Sequence, residues 1–155
     1  MTLLALAACA ASSSHVGTIP GDKAPPWSDP LSTGGTLSFA SLRGSPVYLD
    51  FFATWCPPCN VEAPWIQGLQ RQYAKRGLRI VGVDMQENAT LVQRFRAKYS
   101  LTYPIVVDSG TLQRLYDING LPVHVFIARN GTIERVVVGE MAHAAIESAV
   151  KTVLR

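Results

Sequence analysis

Cys56-Pro57-Pro58-Cys59 is the stretch of this chain whose residue types and spacing point most directly to a reaction. Two thiols three residues apart can close a short disulfide or reopen to a dithiol, and the thiolate is the attacking species either way. The residues in front of them, Val47-Tyr48-Leu49-Asp50-Phe51-Phe52-Ala53, are apolar, aromatic and β-branched, which suits a buried strand. A helical pattern follows. Proline is tolerated just inside a helix start because that N–H has no intrahelical partner. Cys56 then sits at or before the first turn, where the helix dipole and free amides favour a negative sulfur. Cys59 lies about one turn further on the same face. A strand that delivers two cysteines to a helix N-terminus reads as a redox site.

Metal chemistry fits less well. A structural zinc takes about four ligands, usually a second Cys pair or two closely spaced His. The other cysteine is Cys9, and His15, His124 and His143 are scattered along the chain. Asn60, not His, follows Cys59, so the spacing for haem attachment is absent. The expectation is dithiol chemistry with no metal and no cofactor.

Two acids stand near the pair. Asp50 interrupts an apolar strand six residues before Cys56, and a buried acid is costly unless paired; the alternative is a solvated strand end. Glu62 is three residues after Cys59 on the same helix face, either as a proton exchanger or as a first-turn acid that favours the helix dipole. A raised pKa in either would suit proton exchange with Cys59. Trp55 reads as a shield over the disulfide or as a plain core residue.

These residues need a scaffold. With 155 residues, 48% hydrophobic and 16% charged, the chain can build one core and one domain. The formal charge of +3 is mild. Arg71, Lys75, Arg76, Arg94, Arg96 and Lys98 fall on expected helices, where a solvated face explains them without nucleic acid. No hydrophobic run is long enough to span a bilayer.

Residues 1–21 read as a signal- or lipobox-like segment and linker, and 22–155 as the folded domain. Leu6-Ala7-Ala8-Cys9 resembles a bacterial lipobox, which makes Cys9 a lipidation candidate and the chain an exported one. No Lys or Arg precedes the apolar run, and an incidental Cys in an N-terminal tail is the alternative. Residues 17–35 carry four of the ten prolines (Pro20, Pro25, Pro26 and Pro30) and little periodicity, so they should wrap the surface as extended coil.

From there the pattern alternates. A weak strand over 36–39 and a turn at 42–44 precede the central strand. The first long helix, about 57–76, should bury Val61, Trp65, Ile66, Leu69 and Tyr73, with Pro64 kinking it and Gly77 capping it. Residues 78–84 form a strand, Asn88 caps a second helix carrying Leu91, Val92, Phe95 and Tyr99, and 105–107 form a strand. Ser109 opens a short helix through Tyr116, which Gly120-Leu121-Pro122 breaks. Residues 123–128 and 132–138 form a hairpin around Asn130-Gly131, and 141–154 a closing amphipathic helix. The result is an α/β fold, a mixed central sheet flanked by helices on both faces.

Trp55-Cys56-Pro57-Pro58-Cys59, Gly120-Leu121-Pro122 and Phe126-Ile127 before Asn130-Gly131 together resemble the TlpA/ResA-like branch of the thioredoxin superfamily, exported thiol–disulfide oxidoreductases. The resemblance covers about residues 22–155. It implies a thioredoxin-like fold with an N-terminal β-hairpin extension and a β–α insert at about 85–107. It implies that Pro122 is a cis-proline facing the disulfide, a geometry the sequence itself does not determine. Trp55, Pro57, Leu121 and Pro122 then become substrate-binding residues. Asp50 is similar to the buried aspartate of thioredoxins, and Glu62 to the glutamate of this branch's C-x-x-C-x-x-E pattern. His124 is a departure, since the family more often has a small hydroxyl residue there.

The expected cycle is attack by the Cys56 thiolate on a substrate disulfide, then resolution by Cys59. The partners implied are a disulfide-containing substrate protein, such as an apocytochrome c or a copper-site protein, and an upstream membrane thiol donor. A monomer in the bacterial periplasm or another extracytoplasmic space is expected, with a possible lipid anchor through Cys9. Pro57 and Pro58 lack N–H groups that would stabilise a thiolate, which favours a reductase over a strong oxidant. Two alternatives use the same fold. A copper-binding chaperone would need a ligand such as His124. A peroxiredoxin-like protein would carry Thr three residues before its reactive Cys, where Ala53 stands.

Overall fold

The computed structural model describes residues 17–155, so Cys9, the lipobox-like residues 6–9 and His15 lie outside the described part of the chain. In order, the elements are β1 (Ser28–Pro30), β2 (Thr36–Ser38), β3 (Val47–Phe52), α1 (Pro57–Tyr73), β4 (Arg79–Met85) and α2 (Ala89–Tyr99). They continue with β5 (Ile105–Asp108), α3 (Thr111–Leu115), β6 (Val123–Ile127), β7 (Ile133–Val138) and α4 (His143–Val153). The main sheet has the order β5-β4-β3-β6-β7. β3 runs parallel to β4, and β4 to β5, whereas β6 is antiparallel to both β3 and β7. The mixed sheet is thus the expected one.

β3 is buried along its whole length because it lies in the middle of the sheet with both faces covered. Its alternate residues feed two separate cores. Tyr48 and Phe52 pack with Cys59, Ile66, Phe95, Ile146 and Val150, under α1, α2 and α4. Leu49 and Phe51 pack with Val81, Val125, Trp27, Phe39, Leu112 and Tyr116, under α3 and the N-terminal segment. Each fully buried side chain of this size contributes roughly 1.5–3 kcal/mol. The sheet therefore fixes rigidly whatever β3 carries at its C-terminal end.

The N-terminal segment is more than surface coil. Ser28–Pro30 pairs antiparallel with Thr36–Ser38, and Trp27 is buried against Phe39 with ring centroids 6.1 Å apart. The hairpin then covers the open edge of β5, where the Ser32 N–H donates to the Ile105 carbonyl at 2.8 Å. β2 falls on the weak strand expected over 36–39 and the hairpin is the expected extension, whereas β1, three residues long, lies in the stretch read as coil. The insert at 85–107 supplies a helix first, α2, and then the outer strand β5.

Three details differ from the sequence reading. Val61 is 49% exposed and Trp65 only half-buried, its ring stacked on His143. α1 ends at Tyr73, runs through Pro64, and passes by a 3-10 turn (Ala74–Arg76) to Gly77, whose φ of 94° is the left-handed cap expected of it. Asp108, not Ser109, satisfies the start of α3, accepting the Leu112 and Gln113 N–H groups at 2.8 and 2.9 Å. Asn88 caps α2 as expected, through the Leu91 N–H at 3.0 Å.

Candidate active site

β3 ends at Phe52, and the chain turns through Ala53, Thr54 and Trp55 into α1. Cys56 is the N-cap residue, with φ −79° and ψ 114°, and its sulfur accepts the Cys59 N–H at 3.4 Å. Pro57 and Pro58 occupy the first two helical positions and offer no N–H. Cys56 and Cys59 are joined by a disulfide with Cα atoms 5.3 Å apart. Both residues are buried, at 2% and 4% exposure, whereas Trp55 is 69% exposed. Trp55 is therefore no core residue; it lines one wall of a cleft of about 400 Å³ together with Gly120, Leu121 and Gln86. Pro57 is exposed beside it.

Leu121–Pro122 is a cis peptide bond, and the following Val123 pairs in register with Phe51. Pro122 is thereby set at the end of the sheet where the cysteine loop begins.

Behind the disulfide lies a buried polar group. Asp50 and His124 face each other in register across β3 and β6, and both point to the α1 side. His124 Nδ1 lies 3.8 Å from Asp50 Oδ1, and its Nε2 lies 3.6 Å from Glu62 Oε2. Tyr48, two residues before Asp50, places its hydroxyl 2.8 Å from His124 Nδ1. Glu62 Oε1 accepts the Met141 N–H at 2.7 Å. Asp50 is 5% exposed, while Glu62 and His124 have no exposure at all. Asp50 is buried rather than at a solvated strand end, and Glu62 lies buried beyond the first turn of α1 rather than in it.

Burial sets the charge states. Asp50 is pushed up to about 8 by loss of solvent and by the nearby Glu62 charge. Glu62 is pushed up to about 7, again chiefly by burial, with the Met141 N–H opposing and Glu140 adding to the rise. His124 is held down to about 4 by burial, with the Gly139 backbone pulling the other way. Asp50 and Glu62 can each exchange a proton near pH 7 while the imidazole stays neutral.

Sequence reasoning missed three residues that hold this geometry. Glu87, in the β4–α2 turn, clamps Thr54 through both carboxylate oxygens. The Asn60 side-chain amide donates to the Thr54 and Cys56 carbonyls at 2.9 and 2.8 Å, and its oxygen accepts from the Tyr99 hydroxyl at 2.7 Å. Tyr48 looked like core. Only Asn60, polar and directly after the second cysteine, carried any local signal.

The family model described as AhpC/TSA family matches residues 20–136. Among curated proteins, the thiol-disulfide oxidoreductase ResA of Oceanobacillus iheyensis is 37% identical over 113 residues, 72% of this chain and 59% of that protein. ResA of Halalkalibacterium halodurans is 36% identical, over 74% of this chain and 65% of its own length. The match thus spans less than two thirds of either relative. ResA of Bacillus subtilis is 30% identical over 81% of this chain and 71% of its own. Among solved structures, a putative thiol:disulfide interchange protein DsbE from Chlorobium tepidum superposes with a TM-score of 0.81 at 32% identity, covering 88% of this chain and 98% of that one.

Proposed function

The chain belongs to the AhpC/TSA family and to the ResA-like branch of the thioredoxin superfamily, and on that premise we propose that it is a thiol–disulfide oxidoreductase cycling through Cys56 and Cys59. The observation that carries this reading is a Cys56–Cys59 disulfide at the N-terminus of α1 with the buried Glu62 one turn behind it.

In the reducing direction the Cys56 thiolate attacks a substrate disulfide. A Cys56–substrate bond forms, the substrate S–S bond breaks, and one substrate sulfur leaves as thiolate. Cys59 then gives its proton to a nearby carboxylate and attacks the Cys56 sulfur. The Cys56–Cys59 bond forms, and the second substrate sulfur departs as thiolate to be protonated by solvent. Two electrons have passed to the substrate, and a dithiol donor must restore the pair. Glu62 and Asp50 are the two carboxyls from which the acceptor in this scheme is drawn. Trp55, Pro57, Leu121 and Pro122 form the rim on which an extended substrate segment lies.

The reading extends to direction, place and partners. The protein acts as a reductase of protein disulfides, as in cytochrome c or copper-site maturation, in the periplasm or another extracytoplasmic compartment. A membrane thiol donor keeps it reduced, with Cys9 as a possible lipid anchor and residues 22–155 as the working domain. One relative of this fold, at 26% identity, is described as a secreted disulfide oxidoreductase of Mycobacterium tuberculosis, which supports export.

Trapping tests the core of this. A Cys59→Ser variant should accumulate covalent adducts with substrate proteins through Cys56. Adducts formed equally through Cys9, or none at all, would remove the assignment. A peroxide-turnover assay on the same protein is the check on the peroxidase alternative, for which Ala53 speaks poorly.

A further inference from the structure

His124 stands between two buried carboxyls, and a neutral imidazole has only one N–H to give. The ring can present it toward Asp50 from Nδ1, 3.8 Å away, or toward Glu62 from Nε2, 3.6 Å away, but not toward both. Glu62 Oε2 and His124 Nε2 have no hydrogen-bond partner among the described residues, and they face each other at 3.6 Å. The third neighbour breaks the tie. Tyr48 is fully buried and its hydroxyl sits 2.8 Å from Nδ1. Burial and the charges of Asp50, Glu62 and Tyr103 hold the phenol firmly protonated. A buried hydroxyl must place its proton on an acceptor, and Nδ1 is the partner it has. With Nδ1 accepting, the ring proton belongs on Nε2, aimed at Glu62.

We propose that Tyr48 and His124 are positioning residues that select Glu62, rather than Asp50, as the carboxylate that ionises first and receives the Cys59 proton. The inference rests on the dithiol reading above and deepens it. From 3.6 Å the Nε2–H favours negative charge on Glu62 through space, and the Met141 N–H hydrogen-bonds the other oxygen. Asp50 faces a nitrogen whose lone pair is already taken up by Tyr48, so it gains nothing from the ring and stays protonated. The other groups around the cluster are Glu140 beside Glu62, Tyr103 beside Asp50 and the Gly139 backbone beside His124. None of these supplies a competing side-chain donor to Glu62, and the Gly139 backbone, which favours the protonated ring, is a second acceptor with which Glu62 shares the ring proton. The direction agrees with burial, which leaves Asp50 the weaker acid of the two.

The test is NMR on the oxidised protein between pH 5 and 9, following the His124 ring nitrogens and the Asp50 and Glu62 carboxyl carbons. The expected result is a neutral Nε2–H ring at pH 7 and a Glu62 midpoint below that of Asp50. Tyr48→Phe keeps the ring volume and removes the donor. It should shift ring proton toward Nδ1 and narrow or invert the order of the two carboxyls. A rise of the Glu62 midpoint from about 7 to about 8 lowers its ionised fraction at pH 7 about five-fold. A neutral Nδ1–H ring or an imidazolium at pH 7 in the parent protein overturns the proposal, whether or not the variant folds. So does a folded Tyr48→Phe protein with unchanged ring and carboxyl signals. These signals do not depend on turnover, so failure of Cys56 trapping would sink the oxidoreductase reading without touching them.

Discussion

Both carboxylate oxygens of Glu87 bind Thr54, one accepting its backbone N–H at 2.6 Å and the other its hydroxyl at 2.7 Å. The clamp joins the β4–α2 turn to the loop that delivers Cys56. Asp84, fully buried beside it, is pushed up to about 8, mainly by burial, with Glu87 contributing. We predict that Glu87→Gln, which keeps the shape and loses the charge, destabilises the protein by about 1.5–3 kcal/mol, the usual worth of hydrogen bonds to a charged group. Urea denaturation of the oxidised protein measures this. An unchanged midpoint would mean the clamp is ornamental.

The strand–CPPC–helix unit could be read from the sequence because its signals are local. An apolar run, two prolines at a helix start and a cysteine pair all lie within thirteen residues, from Val47 to Cys59. The Asn130-Gly131 hairpin and the Asn88 cap are local in the same sense. Glu87 could not be read, because its partner Thr54 lies 33 residues away and nothing in its spacing names one. His124 was visible as an oddity two residues after Pro122, yet its role depends on strand register. Only the pairing of β3 with β6 sets it opposite Asp50, and only the packing of α1 brings Glu62 to its other nitrogen.

Glu62→Gln should slow the resolution of a Cys56 mixed disulfide by about 10²-fold at pH 7, within the range for loss of a positioned base. The pH profile should change with it. In the parent the rate rises through the Glu62 midpoint, placed near 7 by burial; in the variant that rise disappears and a later one, set by the Cys59 thiol itself, takes over. Stopped-flow release of a chromogenic thiol from Cys56 reports this directly. Retention of the inflection near pH 7 in the variant would assign it to another group.

Stability should fall as pH rises above neutrality, and Asp50 is a main cause. A carboxyl whose folded pKa is raised, here from 3.8 to about 8, keeps a proton in the folded state that the unfolded chain has released. Its contribution is fully present below pH 3.8 and is lost on the way up to about 8, as much as roughly 1.4 kcal/mol for each pH unit. Glu62 acts in the same sense between 4.5 and about 7. His124 acts oppositely, since its pKa is lowered from 6.5 to about 4, and its contribution is lost as pH falls through that window. The clean interval is therefore pH 6.5 to 8, where the unfolded-state histidine has already released its proton. Across it Asp50 alone should cost the parent protein on the order of 1–2 kcal/mol; Asp84, also raised to about 8, acts in the same sense, and Asp50→Asn should lose distinctly less than the parent. Guanidinium unfolding at four pH values decides; parallel curves for the two proteins would remove Asp50 from the account.

The direction of electron flow turns on how well the Cys56 thiolate is stabilised, and α1 offers it few amides. The free amides at a helix start are the usual donors to such a sulfur. In α1 the first two positions are Pro57 and Pro58, which have none. The next amide, that of Cys59, reaches the Cys56 sulfur at 3.4 Å, and the Asn60 N–H is taken by the Cys56 carbonyl at 3.1 Å. One contact is left where several could have been made. Stabilising the thiolate favours the reduced state, so restoring a donor should make the couple more oxidising. A hydrogen bond to a charged group is worth about 1.5–3 kcal/mol, and for a two-electron couple about 30 mV corresponds to 1.4 kcal/mol. Pro57→Ala, which returns one N–H at the first position, should therefore raise the potential by roughly 30–60 mV and lower the Cys56 thiol pKa in step. Equilibration of parent and variant against glutathione gives both potentials. A parent value near −120 mV, that of a strong oxidant, would overturn the reductase reading. An unmoved potential in the variant would mean that the missing amides are not what sets it.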